Sequence, residues 1–476
     1  MPTDMAETAQ QREIDPYTQA EGESLAPPTN LVGRFKHLGP SVIVAGSIVG
    51  SGEVIMTAGL GANAGFVLLW WVLVSCWSKS VVQAEIARYC ITTGDTYMRA
   101  LNRVPGRIMG PRGPVGWPIW LATASFGIGL FGLGGIVGGA GQSLELLTGI
   151  ESTISTGIIV AAAIGILITN SYRHLEKVML FLVMGFTAIT IFCAVLMQFT
   201  DYAVTADDIA LGFSFEFPAV YAALAIAMYG YTGVNSGEIA AYTYWCVEKG
   251  YPRHIGSDPS DPGWVDRAKG WIRVLQTDVI ATLVILTLAT VPFFILGAGV
   301  LNPNGEIPEG LDTIRVLSGM FTETLGGWSL WVFGIGAFFI LFSTTLSGVG
   351  AGGRVFPDYV IEWGFISRLR IHRGKWTRGY VVAIPLMAFL LYFSFQNPIA
   401  LILISATFAA ITLPIQSGAA LWLQRNVMDQ RVRPGRTMHL ALLATFVFQV
   451  IMAGVAVWYV SRKQISQCTR SYAWRS

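Results

Sequence analysis

The sequence predicts an all-α integral membrane protein of about eleven transmembrane helices, built as inverted five-helix repeats with helices 1 and 6 broken. Three observations lead there. Of 476 residues, 53% are hydrophobic and only 13% are charged, about half the ~25% charge of an ordinary soluble chain. Apolar runs long enough to cross ~30 Å of hydrocarbon recur from Pro40 to Val460. Two of them, the first and the sixth, are interrupted near mid-membrane by the related segments GSGE (50–53) and NSGE (235–238).

The elements follow in order. Residues 1–33 are polar, contain Pro27 and Pro28, and lack the apolar core of a cleavable signal, which predicts a disordered cytoplasmic tail. The membrane domain covers 34–460, with spans expected at 39–60, 66–88, 117–145, 153–172 and 176–200 for the first repeat (39–200). The second repeat (217–424) holds 217–244, 275–299, 327–350, 377–395 and 398–424, followed by an extra helix at 438–460 and a tail from 461 to 476. Lys and Arg fall in every second connection, from Arg34 and Lys36 to Arg425 and Arg436, which predicts that those connections and the N-terminus face the cytoplasm across the cytoplasmic membrane. The outer connection with Glu306, Glu309, Asp312 and Glu323 reads first as a solvated loop.

Cysteine and histidine carry little. Cys76, Cys90, Cys193, Cys246 and Cys468 show no CxxC spacing, and His37, His174, His254, His372 and His439 all sit at span ends or in loops, so neither a disulfide framework nor an intramembrane histidine site is expected. No nucleophile, base and orienting group converge, so no enzyme and no cofactor are implied. The partner implied by composition is the lipid bilayer, not nucleic acid.

Inside a membrane every backbone group must find a partner, so Gly-Ser-Gly at mid-depth is tolerated only where the chain packs in protein or lines a cavity. Paired breaks in corresponding spans of two halves are a pattern of secondary transporters. Glycine alone is weak evidence, because small residues also serve close helix packing. The carboxylates weigh more: an acid in mid-membrane costs roughly 2.5–3.5 kcal/mol and marks a site by default. The candidate site is therefore Gly50, Ser51, Gly52 and Glu53 with Asn235, Ser236, Gly237 and Glu238, the two glutamates being candidate metal ligands. Lys79, in the inner half of the second span, reads first as a snorkelling lysine and second as an internal cation paired with Glu53 or Glu238. Glu85 and Arg88 have the i,i+3 spacing of a structural pair.

The stretch GPSVIVAGSIVGSGEVIMTAGLGANAGFVLLW, followed by VVQAEIARYCITTGDT, resembles the first two spans of the Nramp-type divalent metal transporters. SYRHLEKVMLFL, FSTTLSGVGAGGRVF and ITLPIQ resemble the start of that family's fifth span, its eighth and its tenth. The resemblance covers about 35–460 and implies a central site between broken helices 1 and 6. The departures fall on functional motifs. The family's DPGN corresponds to Gly50, Ser51, Gly52 and Glu53, and its MPH to Ser236, Gly237 and Glu238. Its tenth-span glutamine corresponds to Thr412, and its third-span acids to Leu133 and Ile136.

Loss of the thioether favours a hard divalent ion, Mg²⁺ or Mn²⁺, over softer metals, in a cavity that glycine widens enough for a partly hydrated cation. Two other readings stay open. SIVGSGEVI also resembles the glycine motif of amino-acid permeases, and a small organic solute such as an amino acid or amine would then meet Glu53 and Glu238, with Trp245, Tyr231 and Phe342 as wall groups. A non-transporting receptor or scaffold would use the polar connection from Cys246 to Ile272, which contains PSDPGW.

Overall fold

The computed structural model describes residue 17 and residues 24–38, 50–169 and 172–473, with side chains at 172–180, 182, 370 and 459–473 outside the description. The inner half of the expected first span, 39–49, lies outside the described residues.

Seven described helices are long and apolar enough to cross a membrane. The first and second spans count there as one, Gly52–Thr93, because they follow each other without a gap. Ser152–Ile168 and Val183–Phe199 are shorter apolar helices, and the sixth span is divided into Ala222–Tyr231 and Ser236–Glu248. This is the eleven-span, inverted-repeat architecture expected. Several helices outrun their apolar runs at polar ends: the seventh starts at Trp264, the eighth ends at Glu362, the ninth starts at Arg370 and the eleventh ends at Ala473. Hydropathy marks where lipid is, whereas a helix continues until its backbone pattern is broken.

The described part of the first span opens with a π-helical turn, Gly52–Thr57, and continues as α-helix through Ala58–Ala64. A matching π turn, Gly297–Leu301, ends the seventh span. The two meet at backbone distance: a Cβ on Gly297 would lie 2.2 Å from Ala58 O, and one on Gly61 2.5 Å from Phe294 O. Only glycine permits that approach. The third span, Trp117–Thr148, packs against the fourth, eighth, ninth and tenth. Glycine again sets the spacing, since a Cβ on Gly138 would lie 2.1 Å from the Tyr392 ring.

Further structure lies in connections that hydropathy does not mark. A helix Tyr97–Arg103 leads into a hairpin of β1 (Arg107–Gly110) and β2 (Gly113–Gly116), and a helix Thr313–Leu325 covers the opposite end. Part of the tail expected to be disordered is ordered. Asn30 caps the helix Leu31–His37, Leu25 N donates to His254 O at 3.2 Å, and Trp271 donates to Leu25 O at 3.0 Å. Hydrogen bonds between the Leu25 backbone and the chain after the sixth span, invisible to a composition argument, hold it there.

Candidate functional site

The sixth helix stops at Tyr231, and Thr232 to Asn235 run non-helically, with Gly233 at φ +79°. A φ of that sign is open to glycine at little cost. The chain re-enters helix at Ser236 through a capping box: Asn235 Oδ1 accepts from Gly237 N (2.9 Å) and Glu238 N (3.1 Å), while Glu238 Oε2 accepts from Asn235 N (2.9 Å). Four residues thus satisfy the donors that a new helix start leaves open.

The first span repeats the device. Gly50 N donates to Glu53 Oε2 at 2.9 Å, the same three-residue offset. Glu53 goes further, accepting from Gly233 N at 3.4 Å and from the Thr290 hydroxyl at 3.3 Å. It is fully buried, tying the first, sixth and seventh spans together. Beside it, the Thr57 and Thr232 hydroxyls lie 2.9 Å apart and both reach Gly52 O, at 3.1 and 3.2 Å. A Cβ on Gly52 would lie 3.2 Å from Thr232 Cα and 3.3 Å from Tyr231 O. Gly52 therefore seats the two broken segments against each other.

A cavity of about 270 Å³ opens against this joint. Ser51, Gly52, Asn235, Ser236, Gly237 and Glu238 form one wall; the third, eighth, ninth and tenth spans supply most of the rest. Its lining descends to Tyr97, Leu101, Pro118 and Tyr359, the end of the bundle that carries the β-hairpin. Toward the other end the bundle is packed: a Cβ on Gly139 would touch Ile55 and Leu341 side chains at 3.2 Å, and Gln142 donates to Gly310 O at 3.0 Å.

The two glutamates are thus placed differently. Glu238 is half-buried and lines the cavity; Glu53 does not line it. Of the two candidate metal ligands, one is thus on the wall and the other is not. Gly237 is exposed, and a Cβ there would meet only Asn235 Oδ1, at 3.3 Å. Thr412 lines the cavity, but its hydroxyl donates to Ala409 O at 3.0 Å. Leu133, Ile136 and Tyr231 are on the wall, and Trp245 and Phe342 are not.

Sequence reasoning missed Gln416 and Tyr97. Gln416 Nε2 donates to Ser236 O at 2.9 Å and to the Tyr97 hydroxyl at 2.6 Å, joining the tenth span, the second half of the sixth and the helix Tyr97–Arg103. A glutamine two residues after Pro414 in an apolar span was the available signal.

Lys79 neither snorkels nor forms an ion pair among the described residues. It is fully buried and donates to Tyr229 O (2.5 Å) and Thr232 O, carbonyls at the end of the first half of the sixth helix. Glu85 and Arg88 do pair, at 3.0 Å, and Gln424 adds a 2.6 Å hydrogen bond to Glu85. No three His, Cys, Asp or Glu side chains among the described residues gather as a metal cluster.

A sequence model of the natural resistance-associated macrophage protein-like family, Nramp, matches residues 41–459. The chain belongs to the Nramp family. It is therefore a membrane transporter and not an enzyme. The fold is similar to that of the Eremococcus coleocola manganese transporter, solved in complex with an aromatic bis-isothiourea substituted compound. The TM-score is 0.62 at 14% identity, over 93% of this chain and 90% of that one. It is also similar to MhsT in complex with L-phenylalanine (TM-score 0.56, 17% identity, 92% and 99% covered). Mhp1, a nucleobase-cation-symport-1 family transporter closed around bromovinylhydantoin, follows (0.55, 15%, 93% and 96%). No curated protein matches the sequence. The polar side-chain groups of the cavity are one carboxylate, hydroxyls and amides.

Proposed function

We propose that this Nramp-like transporter carries a hard divalent cation, Mg²⁺ or Mn²⁺, in partly hydrated form through the cavity beside the broken helices. One observation carries the reading: of the described cavity-lining residues, Glu238 alone bears a formal charge. No lysine or arginine on the wall offsets it, so the site attracts cations. The other groups at the break, Ser51, Asn235, Ser236 and Gln416, offer neutral oxygens, which suit Mg²⁺ and Mn²⁺ better than soft metals. With one carboxylate and no cluster of ligands, the ion keeps much of its water. A volume of about 270 Å³ has room for that shell, at about 30 Å³ per water in the liquid.

Glu53 acts in this reading as the joint of the broken helices. The cavity lining reaches the hairpin end and not the other, which supports an inward-facing step of an alternating-access cycle, with basic connections and N-terminus on the cytoplasmic side. The manganese transported by the Eremococcus coleocola relative is consistent with this cation class.

The apolar part of the wall, Phe126, Leu130, Leu133 and Ile384, favours a second reading, an organic amine held by Glu238. Equilibrium binding to the purified protein separates the two. Mn²⁺ should bind, Mg²⁺ should compete, and Glu238→Gln should weaken both at least tenfold. Binding of an amine or amino acid with no binding of either metal would replace the cation reading.

A further inference from the structure

We infer that the Lys79 ammonium is a tethered cation, filling from the second span a carbonyl site at the break in the sixth helix that would otherwise take a free monovalent cation. The last carbonyls of a helix lack intrahelical partners and carry the negative end of its dipole. In the first half of the sixth helix one is satisfied in place, Met228 O by Thr232 N at 2.8 Å. Tyr229 O and Thr232 O converge instead on Lys79 Nζ, with Ser75 Oγ also donating to Thr232 O at 3.3 Å. Half-helix C-termini and unwound carbonyls of this kind are where broken-helix transporters hold small cations.

The surroundings fix the ammonium there. Nζ lies 5.0 Å from the centre of the Tyr229 ring, within cation–π range. The Tyr229 hydroxyl is held by Ser78 at 3.0 Å and Gln449 at 3.2 Å. Nζ is also 3.7 Å from where a Cβ on Gly233 would stand, and Gly233 N donates to Glu53. The break thus has a buried carboxylate on an N–H and a buried ammonium on its carbonyls, each matching the local polarity. Lys79 is absent from the cavity lining. It acts through the helix break as a positioning residue and leaves the substrate site to Glu238.

A covalently attached cation cannot dissociate between cycles. The joint therefore needs no second ion, and the first half of the sixth helix stays fastened to the second span. This does not depend on the identity of the substrate.

The test is the thermal midpoint of the purified protein at constant ionic strength in Na⁺, K⁺, choline and ethylammonium, with propanol added to choline as the uncharged control, for the wild type, Lys79→Ala and Lys79→Met. The wild type should show the same midpoint in all four. Lys79→Ala should melt roughly 5–10 °C lower in choline and recover saturably in ethylammonium or Na⁺. Lys79→Met, which fills the space without the charge, should melt low in every salt. A wild-type midpoint rising saturably with Na⁺ or K⁺ would reveal a separate cation site and overturn the inference. So would a Lys79→Met midpoint equal to the wild type, or equal recovery of Lys79→Ala in ethylammonium and in propanol. If Lys79→Ala yields no folded protein, the wild-type and Lys79→Met arms decide alone.

Discussion

Glu53 and Glu238 hold equivalent positions in two broken helices: each carboxylate accepts the backbone N–H three residues earlier, at 2.9 Å, yet only Glu238 lines the cavity. One device of local structure thus serves two ends. Glu53 spends its second oxygen on Gly233 and Thr290, whereas Glu238 Oε1 has no protein donor among the described residues.

The first prediction separates the two by readout. Glu53→Gln removes a charged acceptor from a fully buried joint and should lower stability by about 2 kcal/mol, the range for buried hydrogen bonds to charged groups. Glu238→Gln keeps an acceptor for Asn235 N and should leave the melting midpoint within a few degrees while substrate affinity collapses. Thermal melts and binding isotherms on the same preparations check both. Equal loss of affinity with no loss of stability in Glu53→Gln would put Glu53 back in the binding site.

Gly52 and Gly237 should also part company. A methyl at Gly52 meets the backbone of Tyr231 and Thr232 at 3.2–3.3 Å, so Gly52→Ala should shift the joint and cost about 1–3 kcal/mol, as overpacking does. Gly237 opens onto the cavity, so Gly237→Leu should fold normally and block transport. Uptake and melting measured on both variants discriminate; a destabilised Gly237→Leu would mean that this face is packed.

Gly230 controls docking of the first half of the sixth helix on the tenth span. Its Cβ position lies 2.1 Å from Ala406 O, a backbone atom that cannot step aside. Gly230→Ala should therefore destabilise by about 3 kcal/mol or more, beyond the usual overpacking range, and its melting midpoint is the check.

How much of this was legible in the sequence differs by level. Hydropathy located the spans because lipid contact sets a length, and the repeated SGE triplets located both breaks and the register of both glutamates. Which glutamate meets the cavity depends on how the sixth helix turns against the first, and that is set by contacts such as Gly52 on Thr232, far apart in the chain. Lys79 was visible as a buried-charge problem; its solution, two carbonyls freed by a break some 150 positions downstream, was not. The hairpin Arg107–Gly116 and the helix Tyr97–Arg103 lie outside the apolar runs, so hydropathy passed over them, and with them Tyr97.

Selectivity follows from the donor set. Ser236→Met places a thioether on the cavity wall and should raise Cd²⁺ affinity relative to Mg²⁺ by about tenfold. Competition binding on the wild type and the variant measures the ratio. An unchanged ratio would mean that Ser236 does not approach the ion.

The most direct measurement is uptake of Mg²⁺, Mn²⁺, Ca²⁺ and Cd²⁺, alongside a panel of amines and amino acids, into liposomes containing the wild type or Glu238→Gln. The account predicts wild-type uptake of Mg²⁺ or Mn²⁺ ahead of Cd²⁺, abolished in Glu238→Gln. Preference for Cd²⁺, metal uptake undiminished in Glu238→Gln, or uptake of an organic amine without any divalent cation would contradict it.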